Sequence, residues 1–129
     1  MIDYHRLEVW RRAHKLTMEV YRVTRMFPSE ERYALTVQLR RAMTSVPCNI
    51  VEGSARSTDR AFASFIEIAE GSAAEVQYEL QLAQELGYLE PSVYDGITRE
   101  ILEVRRMLAR LRARLRRGES SLTTAALTP

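Results

Sequence analysis

The sequence predicts an all-α fold, an antiparallel up-down-up-down four-helix bundle. Three observations predict it. Apolar side chains recur at alternating steps of four and three over four separate stretches, the spacing of helices that bury one face. Capping residues, glycine and proline punctuate the gaps between those stretches. Neither a period-two strand pattern nor an internal repeat competes with this reading.

The first helix is expected over residues 7–27, where Val9, Ala13, Leu16, Val20, Val23 and Phe27 form the stripe and Trp10 and Tyr21 flank it. Pro28 ends it. Ser29, Glu30 and Glu31 then offer a cap and two carboxylates to the positive end of a second helix, with the stripe Leu35, Leu39, Ala42 and Val46. Pro47 lacks a backbone donor and crowds the preceding turn, so a kink or short break is expected between Thr44 and Cys48, with helix resuming through Glu52. Gly53 suits a C-terminal cap, and Ser54 to Thr58 form the connection.

Thr58 and Asp59 open the third and longest helix. Its positions Phe62, Ile66, Ala69, Ala73, Val76, Leu80 and Ala83 keep a repeat of about 3.5 residues, the mark of a supercoiled seam. Gly71 and Ser72 interrupt the repeat mildly, Ala73 and Ala74 keep the helix slim, and such small residues would let a neighbouring helix approach closely. Gly87 closes it. Pro91 suits the first turn of the fourth helix, whose stripe runs Val93, Ile97, Ile101, Val104, Leu108, Leu111 and Leu115 before Gly118. Residues 1–118 read as one bundle domain and 119–129 as a flexible tail. Helices of this size are roughly 30–43 Å long, and short loops make sequential neighbours antiparallel.

Composition excludes several classes. The single cysteine, Cys48, cannot close an intramolecular disulfide. It is expected to be a small buried group. No apolar run approaches the roughly 18 residues of a membrane span, so a soluble, cytoplasmic protein is expected. His5 and His14 are not aligned by a helical repeat and no Glu-x-x-His pair occurs, so no metal or other cofactor is expected. Glycine-rich phosphate loops and serine nucleophile elbows are missing too.

Net charge is only +2, but it is segregated. Residues 1–50 hold nine basic and five acidic groups, residues 51–104 three and eleven, and residues 105–117 seven arginines with no acid. Either acidic and basic helices face one another, or the field steers a charged partner. For the second reading the candidate nucleic-acid contacts are Arg40, Arg41, Arg56 and Arg60, together with Arg105, Arg106, Arg110, Arg112, Arg114, Arg116 and Arg117. Stacking aromatics are not interleaved with these arginines in the sequence.

A polar constellation accompanies them. Gln38, Arg41, Ser45, Asn49 and Glu52 fall on one side of the second helix, and Ser72 and Glu75 on the third. Facing carboxylates at Glu52 and Glu75 would suit general acid or base work. Alternatively, Gln38, Ser45, Asn49, Glu52, Ser72 and Glu75 satisfy one another, fix helix register and repair the backbone around Pro47, or they meet a partner. No catalytic residue is assigned, and a non-enzymatic protein is expected.

The run Gln38-Leu39-Arg40-Arg41-Ala42, then Ser45-Val46 and Cys48-Asn49-Ile50-Val51-Glu52-Gly53, resembles the signature of the four helix bundle protein family, which includes the 23S rRNA intervening sequence proteins. The likeness extends through Leu7, Val9-Trp10, Ala13, Tyr21, Phe27-Pro28 and Glu31 on one side. On the other it takes in Phe62, Phe65, Ala69-Glu70-Gly71-Ser72, Glu75 and Leu86-Gly87-Tyr88. It covers residues 5–115, with Val51 where alanine is expected. The resemblance implies a homo-oligomer, a ring-like pentamer, as in the related accessory variability proteins of diversity-generating retroelements. Those relatives bind nucleic acid and a reverse transcriptase. Hence two roles are open: an oligomeric accessory protein associated with RNA or DNA, or a protein-interaction scaffold without direct nucleic-acid binding. Self-association is also expected from Trp10, Tyr21, Phe65, Tyr78 and Tyr94, more flanking apolar surface than one small bundle hides.

Overall fold

The computed structural model describes residues 1–119. Residues 120–129 of the expected tail lie outside the described residues. Four helices follow one another: α1 (Glu8–Thr24), α2 (Leu35–Ser54), α3 (Asp59–Glu85) and α4 (Pro91–Arg116). Single 3₁₀ turns occupy Tyr4–Arg6 and Ser29–Glu31, and among the described residues there is no strand.

The apolar stripes meet inside the bundle. Leu39, Val46, Ile66, Val76, Leu80, Ile101, Val104 and Leu108 have no exposure to solvent, and removing their surface from water is the main force assembling the helices. Side-chain contacts fix the directions. Ser45 meets Ser72, and Gly53 meets Phe62 and Phe65, so α2 and α3 are antiparallel. Arg105 binds Gln77 and Arg112 binds Glu70, so α3 and α4 are antiparallel as well. Arg40 reaches Thr24 and the Tyr21 carbonyl while the Ile2 amide donates to Ser54 O, which sets α1 against α2. Arg12 clasps Glu100 with two hydrogen bonds of 2.8 and 3.1 Å and closes the ring of helices from α1 to α4.

Helix ends follow local chemistry. Thr58 Oγ1 accepts from the Ala61 amide at 3.1 Å, capping α3. Gly87 (φ 83°) and Gly118 (φ 71°) take left-handed conformations that end α3 and α4, and the following amides of Tyr88 and Glu119 reach back to Ala83 O and Arg114 O.

Four expectations need correction. Ser29 to Glu31 make only a 3₁₀ turn, and non-helical backbone at Ala34 (φ −123°, ψ −105°) delays α2 to Leu35, whose amide then donates to Glu31 Oε1. Of the kink or short break expected between Thr44 and Cys48, the break does not occur: α2 continues through Pro47, whose ring is buried. Gly53 is not a cap: it lies within α2, where a Cβ would sit 2.7 Å from Phe62 Cδ1 and 2.9 Å from Phe65 Cβ. Gly71 does not admit a neighbour from this chain, since a Cβ there would meet nothing within 4 Å.

Candidate nucleic-acid interface

The arginines were counted in sequence, but their neighbours are set by the fold. Arg112 makes a two-pronged pair with Glu70 on α3, with Nε donating at 2.5 Å and Nη2 at 3.3 Å. That carboxylate holds the Arg112 guanidinium more firmly in its protonated form. Arg116 pairs with Glu67, and Arg105 donates to Gln77 Oε1. Arg106 and Arg110 both face Glu103, Arg117 pairs with Glu119, and Arg56 lies 4.0 Å from Glu52. In the run Arg105 to Arg117, five of the seven arginines thus face a carboxylate, from Glu67, Glu70, Glu103 or Glu119, with Glu103 serving two of them. Of the eleven candidates, Arg41, Arg60 and Arg114 have no ion-pair or hydrogen-bond partner among the described residues.

Ser45 and Ser72 hydroxyls lie 2.8 Å apart, and Asn49 Nδ2 donates to Ser45 O at 2.8 Å and to Ser45 Oγ at 3.0 Å. Asn49 therefore does not reach the Met43 carbonyl that Pro47 leaves without its amide partner. Gln38 is exposed and joins no described side-chain hydrogen bond. Glu52 and Glu75 are not brought together: Glu52 faces Arg56, two residues beyond the end of α2.

Glu75 instead neighbours Glu79, a residue not singled out in the sequence. Glu79 is only 4% exposed and its Oε1 has no hydrogen-bond partner among the described residues. Burial, then the Glu75 charge, then a carboxyl–carboxyl hydrogen bond with Glu75 push its pKa up to about 7. Among the described residues no group of three or more His, Cys, Asp or Glu is arranged to hold a metal ion. None of the helices is long and apolar enough to cross a membrane.

Arg40 and Arg41 line a cleft of about 570 Å³ between α1 and α2 with Tyr21, Val37, Thr44, Ser45 and Cys48. Cys48 is exposed there, against the expectation of burial, because its side of α2 turns away from the core that receives Val46, Pro47 and Ile50. Arg40 is held by Nε donating to Thr24 Oγ1 at 2.8 Å and Nη2 donating to the Tyr21 carbonyl at 3.3 Å. Its guanidinium lies 4.7 Å from the Tyr21 ring centroid, a cation–π contact. Two other clefts carry carboxylates, Glu8, Glu19 and Glu100 between α1 and α4 and Asp59 and Glu67 at the α3–α4 end. This one carries none.

A second aromatic group sits on the same face of α1. Trp10 and His14 stack with ring centroids 5.0 Å apart and planes 9° apart, and Tyr4 and His5 pack against Trp10 from the N-terminal turn. Trp10, His14 and Tyr21 were visible as residues four and seven apart. Their alignment beside an arginine of another helix was not.

A family profile described as 23S rRNA-intervening sequence protein matches residues 5–110. Among solved structures, the chain is similar to a protein with unknown function from the S23 ribosomal protein family of Bacteroides thetaiotaomicron. The TM-score is 0.76 at 21% identity, over 81% of this chain and 95% of that one. Comparison with curated proteins finds no match.

Proposed function

The chain belongs to the 23S rRNA-intervening sequence protein family, and from that premise we propose that it works without catalysis, as a nucleic-acid-associated accessory protein in the cytoplasm. The observation that carries this reading is the acid-free cleft between α1 and α2, with Arg40 held in place and Arg41 left to bind. The arginine run of α4 carries it less, since neighbouring carboxylates already offset most of that charge. Gel-shift titration tests the reading: binding to RNA or DNA at about 50 mM salt should weaken steeply by about 200 mM, as phosphate contacts release counterions. Absence of binding at the lower salt overturns it.

A second reading, a protein-interaction scaffold, is favoured by a different surface. On α3, Ile68, Gly71, Glu75, Tyr78 and Leu82 fall at steps of three and four along one side, with Ile68 53% and Tyr78 60% exposed. Such a stripe suits a helix of a second copy, and the pentameric ring that the resemblance implies would use surface of this kind. The reverse transcriptase partner implied by the same resemblance is the corresponding heterologous case. A polypeptide that co-purifies and survives nuclease treatment would favour this reading over the first.

A further inference from the structure

The geometry points to the α1–α2 cleft as a site for one nucleotide unit of a single-stranded nucleic acid, with its phosphate on Arg41 and its base on the Arg40–Tyr21 pair. This rests on the nucleic-acid reading and adds the strand type and the place. Three features combine. The cleft presents two guanidinium groups and no carboxylate, so an anion entering it meets no opposing charge from its lining. Arg40 is already fixed by Thr24 Oγ1 and the Tyr21 carbonyl, so little side-chain freedom remains to be lost on binding. Tyr21 is 39% exposed with the Arg40 guanidinium over its ring, and an unstacked base can stack on the outer plane of that pair whatever its identity.

The strand also has somewhere to go. His14 lies seven residues before Tyr21 on the same face of α1, about 10 Å away along the axis, and its exposed imidazole is the outer layer of the Trp10 stack. Arg25, exposed and one turn beyond Tyr21, extends the cationic edge the other way. Bases inside a duplex are stacked on one another and offer no face to Tyr21, so the site selects single strands.

The 129-residue chain supplies its own probes. Cys48, the sole cysteine, lines the cleft, and Trp10, the sole tryptophan, reports the far end. Fluorescence anisotropy with labelled oligothymidylate should show binding that Tyr21→Ala and Arg41→Gln each weaken by roughly tenfold, while Tyr21→Phe stays within about twofold. Arg99→Gln, on an exposed part of α4, should leave the affinity unchanged. Saturating oligothymidylate should protect Cys48 from maleimide and quench Trp10 emission. Binding without Cys48 protection and indifferent to Arg41→Gln overturns the site but leaves the nucleic-acid reading standing, whereas no binding at low salt removes both. Equal affinity for a hairpin duplex overturns the single-strand assignment. Arg41 has no side-chain partner among the described residues, so its variant tests the site even if a Tyr21 variant misfolds.

Discussion

Glu79 is a carboxyl group that folding removes from water without giving Oε1 a partner, and its raised pKa ties stability to pH. In the unfolded chain the group returns to its ordinary range near 4.5. Its folded form holds a proton up to about pH 7, so its stabilising contribution is complete below 4.5, falls as pH rises between those values and is flat above. Glu79→Gln should remove that slope, gaining up to about 3 kcal/mol over the parent at pH 8 relative to pH 4. Urea unfolding at the two pH values measures it; parallel curves for parent and variant would refute the assignment. Glu75→Gln, which removes the adjacent charge, should shift the parent's slope to lower pH. None of this was legible in the sequence, where Glu79 is one of eleven acids in an acidic stretch. Burial of a particular side chain depends on which neighbours cover it, and the same holds for Cys48, exposed beside a buried proline.

The helices themselves were legible because their apolar period is a property of one chain segment. The stripes from Val9 to Val23, Phe62 to Ala83 and Ile97 to Leu115 all face the core. Where the reading slipped, a glycine or a cap had two physical uses. Ser29 with two glutamates fits a helix start, yet Ala34 breaks the backbone before α2. Gly53 fits a helix end, yet it is there because α2 and α3 approach too closely for a Cβ. Gly53→Ala should therefore lower stability by about 1–3 kcal/mol, since the aromatic rings of Phe62 and Phe65 must shift. Gly96→Ala is the contrast. On α4 a Cβ meets nothing within 4 Å, so the change should add about 0.5–1 kcal/mol through helix propensity alone. Thermal unfolding of the two variants decides whether crowding separates them; equal shifts would mean that the close approach at Gly53 is not what excludes a side chain.

For the whole molecule, segregation of charge along the sequence becomes pairing in space. Glu67 and Glu70 of α3 meet Arg116 and Arg112 of α4, so part of the acidic stretch faces part of the basic one. What the bundle leaves uncovered is more informative than what it carries in total. Trp10 and Tyr94, expected to drive association, pack partly against the core, and Phe65 lies beneath the Arg56 guanidinium. Ile68 and Tyr78 remain outward on α3, with Gly71 between them offering room for another backbone. A helix that already buries one seam inside the bundle thus also presents two large apolar side chains outside it. Light scattering at micromolar concentration should give a mass several times 14.9 kDa, and the double change Ile68→Arg with Tyr78→Arg should return it to that of the single chain without loss of helix content. Because both side chains are exposed, folding of the single chain does not depend on them, and only the assembly should respond. A parent that scatters as a single chain would remove the self-association reading, and a double variant that still assembles would move the interface to another face.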